Sequence, residues 1–133
     1  MKDLLWDNTL SVQVREIDDD HRKLVDLFNL LSHAVNEEEP EELVEVLLEE
    51  LISCTDCHFK HEERLMLKYR YDGFEEHRRE HRELIDSINE LQKTRRNKGR
   101  PVTADDIEFL EHWLTGHILG PDMDLGAWLN EQA

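Results

Sequence analysis

Apolar residues recur every three to four positions along almost the whole chain, and glycine and proline (5 and 3 of 133 residues) seldom interrupt them. That period belongs to amphipathic helices, and the strand signal is poor. Four helices are expected, at about residues 18–36, 40–69, 74–96 and 103–119. Their apolar stripes run through Ile17, Leu24, Leu27, Phe28, Leu31 and Val35; Leu43, Leu47, Leu51, Cys54 and Leu65; Phe74, Leu84, Ile88 and Leu91; and Ile107, Leu110 and Leu114. Pro40 suits a first helical turn, and Thr103 with Asp106 forms a capping-box pattern. Tyr71-Asp72-Gly73 and the run from Asn97 to Pro101 separate the later helices, and Gly120-Pro121 is expected to end the fourth. Short loops between four helices favour an all-α, antiparallel up-down-up-down bundle within a single domain, 1–133. Residues 1–17 read as an N-terminal arm packed through Trp6, Leu10, Val12 and Val14, and 121–133 as a short C-terminal segment carrying Leu125, Trp128 and Leu129.

The stripes are not purely apolar. His58 and Glu62 lie one helical turn apart, as do His77 and His81. His21 and His117 each interrupt an apolar face, and Asp122 follows the Gly-Pro break that could swing it inward. One histidine on an apolar face is ordinarily a hydrogen-bonded core residue. Five of them with two carboxylates are not. Burying an unpaired carboxylate costs several kcal/mol, against a total stability of about 5–15 kcal/mol for a domain of this kind. No Lys or Arg stands on the inner stripes to neutralise the pair, so a metal must. Neutral imidazole is a good metal ligand. Seven donors exceed what one ion takes, so the number argues for two ions bridged by the carboxylates. Imidazole with carboxylate suits iron, with zinc and manganese also admissible.

Charge excludes other classes. With 16 basic against 32 acidic residues the formal charge is −16, which a phosphate-backbone binder would not carry. No apolar run reaches the roughly 20 residues of a membrane span. The first residues, MKDLLWDNTL, lack a signal peptide's apolar stretch. The expectation is a cytoplasmic protein with neither nucleic-acid nor membrane partners.

The stretches SVQVREIDDDHRKLV (Ser11 to Val25), HFKHEERLM (His58 to Met66), GFEEHRREH (Gly73 to His81) and WLTGHILGPD (Trp113 to Asp122) resemble the hemerythrins, most closely the single-domain bacterial ones. The resemblance covers nearly the whole chain. It implies a haem-free di-iron centre, with His77, His81 and His117 on one iron and His21 and His58 on the other. Glu62 and Asp122 would bridge the two, with an oxide or hydroxide as third bridge. It also implies reversible dioxygen binding, for storage, transport or delivery to an oxygen-using partner enzyme, the dioxygen held as hydroperoxide on the five-coordinate iron. Leu24, Phe59, Trp113, Leu114 and Ile118 would line the dioxygen pocket. By the same analogy the protein is a monomeric oxygen binder rather than an enzyme. A di-iron peroxidase, nitric-oxide handling or oxygen sensing at the same site is the alternative. The chain departs from the family pattern at Asp20, where Gln or Glu is commoner, at Gly120-Pro121, and at Leu125, near a place often held by Tyr.

The other signals are weaker. Cys54 and Cys57 have CxxC spacing, but no second pair exists and the segment is mid-helix, so core packing of Cys54 is expected ahead of a redox role. His77-Arg-Arg-Glu-His81 fits the five-letter inverted zinc-peptidase motif on a chain short for a peptidase. Ferritin-like di-iron proteins use Glu-x-x-His pairs, and no Glu stands three before any His here. His33, His61 and His112 fall off the ligand pattern, with surface places or support of the ligands expected; His61 is close enough to reach the rim.

Overall fold

A computed structural model describes residues 10–131. The expected packing of Trp6 lies outside them. The chain folds as an antiparallel four-helix bundle of α1 (Arg15–Asn36), α2 (Glu41–Tyr69), α3 (Phe74–Lys98) and α4 (Ala104–His117). A π-helical turn (Ile118–Asp122) then leads into α5 (Met123–Glu131). α1 packs on α2 and α4, and α2 packs on α3. Among the described residues no helix is long and apolar enough to cross a membrane.

The main core fills one end and the middle of the bundle. Leu24, Phe28 and Leu31 of α1 meet Leu48 and Leu51 of α2, Ile88 of α3, and Ile107, Leu110 and Leu114 of α4. A smaller cluster of Val12, Ile17, Met66 and Leu125 closes the other end. The titratable groups are buried in the same interior. α4 enters through the expected capping box: Asp106 N–H donates to Thr103 Oγ1 (3.2 Å) and Thr103 N–H donates back to Asp106 Oδ2 (2.9 Å).

The helix limits differ from the sequence expectation in ways the local chemistry explains. α1 starts at Arg15, a turn earlier than 18. The buried Asp18 carboxylate accepts from Val12 N–H (2.8 Å) and Ser11 Oγ (2.6 Å), which folds the preceding chain back and lets the helix begin. α3 continues to Lys98 because only Gly99, at φ 60°, adopts the left-handed cap. Gly120-Pro121 does not end the last helix. Both residues sit in the π turn, where Pro121, lacking an N–H, removes one helical hydrogen bond without stopping the chain. α2 buries Val44, Leu48, Leu51 and Thr55, while Leu43 is exposed. The inner stripe of α2 is thus one residue out of phase with the expected one at its start, and the two phases merge at Leu51 and His58.

Residues 10–14 are tied down at α5. A Cβ on Gly126 would lie 2.3 Å from the Val12 carbonyl oxygen, so only glycine lets the two segments meet. Gly126→Ala should cost about 1–3 kcal/mol, read as a lowered midpoint of urea unfolding.

Candidate metal centre

Each helix brings its share of one cluster. α1 contributes His21, α2 His58 and Glu62, α3 His77 and His81, and α4 His117. Asp122 comes from the π turn. In a regular α-helix a residue five after His117 would point roughly 140° away from it. The wider turn brings the Asp122 carboxylate onto the same face, 3.0 Å from His117 Nε2. All seven are at most 5% exposed, and Glu62, Asp122 and His21 are fully buried. The structure therefore brings together every residue of the expected ligand set.

The cluster has two halves that share both carboxylates. One comprises His77, His81 and His117 with Glu62 and Asp122, the other His21 and His58 with the same pair. The carboxylate oxygens divide between them. Glu62 Oε1 lies 3.0, 3.2 and 3.9 Å from the Nε2 atoms of His81, His77 and His117. Glu62 Oε2 lies 2.8 and 3.5 Å from those of His58 and His21. Asp122 Oδ1 faces His77 and His117, both at 3.0 Å, and Oδ2 faces His21 at 2.8 Å. Despite these separations, His21 Nε2, His58 Nε2, His117 Nε2, Glu62 Oε2 and both Asp122 oxygens make no hydrogen bond. Buried polar atoms are nearly always paired. His77 and His81 Nε2 reach Glu62 Oε1 at hydrogen-bond distance (3.2 and 3.0 Å), but the other donor atoms converge on shared points without pairing, and a divalent cation at each point would satisfy them. The donor set fits two ions with imidazole and bridging carboxylate ligands.

Three of the rings are held from behind by acids. His58 Nδ1 donates to Asp20 Oδ2 (3.1 Å), His81 Nδ1 to Glu63 Oε2 (3.1 Å) and His117 Nδ1 to Glu80 Oε1 (3.0 Å). Such bonds fix the tautomer that leaves Nε2 free for a metal. The sequence did not reveal these partners, because each acid sits on a different helix from the ring it holds. Asp20 also accepts from His61 Nδ1 at 2.6 Å. Burial pushes the Asp20 carboxyl up, but the His58 and His61 hydrogen bonds outweigh it and hold it at about 2. Asp20→Asn should weaken metal binding about tenfold or more, measured by competition with a coloured chelator.

Burial and mutual attraction oppose each other at the seven residues themselves. Burial disfavours the charge on His58, yet the Glu62 carboxylate, with Asp122 and Asp20, holds that ring well above the ordinary imidazole value. His117 is likewise held well above it, against burial, chiefly by Asp122. His77 is pushed up to about 9 by Asp122 and Glu62, again against burial. Glu62, in spite of burial, is held well below the carboxylate range, first by the charge on His58.

A cavity of about 10 Å³, room for one very small molecule, adjoins the two-histidine half. His21, His58, His117 and Asp122 line it, together with all five apolar residues expected at the pocket: Leu24, Phe59, Trp113, Leu114 and Ile118. Thr55 and Leu84 also line it and were not expected. Thr55 stands on the buried 3–4 spacing of α2 (positions 44, 48, 51, 55, 58, 62), a signal hidden by its polarity. The Thr55 and Trp113 hydrogens on this wall are already engaged, whereas His21 Nδ1 has no partner. Thr55 Oγ1 donates to the Leu51 carbonyl (2.6 Å) and Trp113 Nε1 to the Leu84 carbonyl (3.0 Å). Phe59 stacks flat on His81, with ring centroids 3.8 Å apart.

The remaining singled-out residues lie apart. His33 and His112 are exposed and His61 is at the rim. Cys54 is partly buried against the main core, Cys57 is exposed, and both thiols are free.

Known proteins resemble this chain over most of its length. The family described as "Hemerythrin HHE cation binding domain" matches residues 12–129. A bacteriohemerythrin of Pseudomonas paraeruginosa (strain DSM 24068 / PA7) is 32% identical over 122 residues, covering 92% of this chain and 78% of that protein. A myohemerythrin of Theromyzon tessulatum is 26% identical over 117 residues, covering 88% and 86%. The crystal structure of a wild-type hemerythrin superposes with a TM-score of 0.86 at 29% identity, covering 93% of this chain and 95% of that one.

Proposed function

The chain belongs to the hemerythrin family, and from that premise we propose that it holds two iron ions in the shared cluster and binds dioxygen reversibly beside them. The observation that carries this reading is the division of the carboxylates, with one oxygen of each turned to imidazoles of the three-histidine half and the other to imidazoles of the two-histidine half. His77, His81 and His117 would hold one ion and His21 and His58 the other, with Glu62 and Asp122 bridging. An ion in the two-histidine half would have fewer protein ligands, and the cavity adjoins that half of the cluster. When bound, a ferrous pair supplies electrons that dioxygen can take up and give back.

The protein's own residues favour release over reaction. Leu24, Phe59, Trp113, Leu114 and Ile118 form an apolar wall that keeps water from the cavity. With Thr55 and Trp113 donating to backbone carbonyls, neither offers a proton to a bound molecule. Proton delivery is what would turn bound dioxygen into released hydrogen peroxide. The reading is therefore an oxygen store or carrier rather than an oxidase or peroxidase.

The test is an anaerobic dioxygen titration of the ferrous-loaded chain, with iron quantified and the sample then deoxygenated. One dioxygen taken up per two irons and returned on deoxygenation is the expected result. Uptake that ends in ferric protein and free peroxide would overturn the carrier reading while leaving the metal site intact.

A further inference from the structure

We propose that the two halves of the cluster load in a fixed order, the three-histidine half first, and, resting on the oxygen-binding reading above, that a chain holding one iron takes up no dioxygen. The halves share both carboxylates but are not equally built. One offers five donors, His77, His81 and His117 with Glu62 and Asp122, and the other four, His21 and His58 with the same pair. An ion in the first half gains one more imidazole than an ion in the second. Whichever ion arrives first takes most of the charge of Glu62 and Asp122. The later ion meets neutralised carboxylates and the repulsion of a dication nearby.

The support behind the rings differs in the same direction. In the three-histidine half, Glu63 holds His81 and Glu80 holds His117, each through Nδ1. In the other half Asp20 holds His58, but the same Oδ2 also accepts from His61, and at the shorter distance (2.6 against 3.1 Å). His21 has no support of this kind. Its side chain is fully buried, and among the described residues it is the one ligand ring with a buried Nδ1 that makes no hydrogen bond. An acid behind a ligand ring fixes its orientation and raises its basicity, and its absence weakens metal binding about 10–100-fold. The two-histidine half is therefore the weaker one on three counts: fewer imidazoles, a ring without support, and a carboxylate shared with His61. The cavity adjoins that weaker half. Reversible dioxygen binding calls on electrons from both ions, so iron supply would set dioxygen capacity through the half that fills last.

The metal-free full chain is to be titrated with cobalt(II), which carries the charge of ferrous iron and is followed by its ligand-field absorption. Two steps are expected, the first tighter by about a hundredfold. At one cobalt per chain, proton NMR should show three paramagnetically shifted imidazole N–H signals, one each from His77, His81 and His117. That count needs no variant. His21→Ala should keep the first step and lose the second, whereas His81→Ala should lose the first. With ferrous iron at one per chain, a hundredfold gap leaves fewer than about a tenth of the chains with two ions, against about a quarter for equal, independent halves. Dioxygen uptake should therefore stay near zero up to one iron per chain and rise between one and two. A single cobalt step that takes up both ions, two shifted signals at one equivalent, or loss of the first step in His21→Ala would each overturn the loading order. Two cobalt steps in the expected order, with no reversible dioxygen uptake at two irons, would uphold the order and overturn the oxygen-binding reading instead.

Discussion

Glu62→Ala should remove both iron ions and much of the protein's stability in one step. Glu62 is the residue whose two oxygens reach all five imidazoles, at 2.8–3.9 Å. Without it each half of the cluster keeps only its Asp122 oxygen, and that one carboxylate is left to five rings. Breaking a buried charge network from one side costs about 3–5 kcal/mol in the metal-free chain. Metal-derived stability is lost in addition, because the binding energy of a site that exists only in the folded state is folding energy. The measurements are iron per chain after ferrous loading and the thermal midpoint. Met66→Ala separates a packing defect from a ligand defect. Met66 is fully buried in the smaller cluster, and its truncation should cost a comparable 2–5 kcal/mol while two irons are retained. Glu62→Gln keeps the volume, loses the charge, and should still fail to load. Two irons per chain in either Glu62 variant would refute the bridging assignment.

The sequence was most informative where one helix speaks for itself. His58 with Glu62 and His77 with His81 are neighbours by helical geometry alone, and their place on apolar stripes put them indoors before any fold was known. Asp122 was legible because a Gly-Pro pair so close to a helical histidine signals a changed winding, although the change proved to be a π turn rather than a stop. Relations between helices were not legible. The acids behind His58, His81 and His117 come from α1, α2 and α3 respectively, and none stands at helical spacing from the ring it holds. The start of α2 misled for a related reason. Leu43-Val44 and Leu47-Leu48 are adjacent apolar pairs, so the period fits two phases, and only contact with α1 and α3 selects the one that buries Val44 and Leu48. Position within a helix is a local property, and pairing across helices is not.

Acidification from pH 8 to 6 should strip the metal steeply, by more than tenfold in affinity per pH unit. In the metal-free protein the carboxylates hold His77 up to about 9 and keep His58 and His117 well above the ordinary imidazole value, in spite of their burial. At pH 7 these rings carry protons, and a metal must displace them. Release of more than one proton per chain makes affinity fall by more than one decade for each unit of pH. The sign for folding alone is different. The raised imidazoles stabilise the metal-free chain fully below about 6.5 and cease to do so as pH rises through about 9 for His77. The depressed Glu62 and Asp122 carboxyls stabilise it above about 4, and that contribution is lost as pH falls through their low folded values. The metal-free chain should therefore lose stability as pH rises from about 6.5 to 8, while the loaded chain, whose rings have already given up their protons, does not. The gap between their thermal midpoints should widen with pH across that interval. Chelator competition at four or five pH values gives the slope, and a weakly buffered titration counts the protons released. A slope of one decade per pH unit or less would mean that the rings are already neutral before the metal arrives, and the electrostatic account of the empty cluster would be wrong.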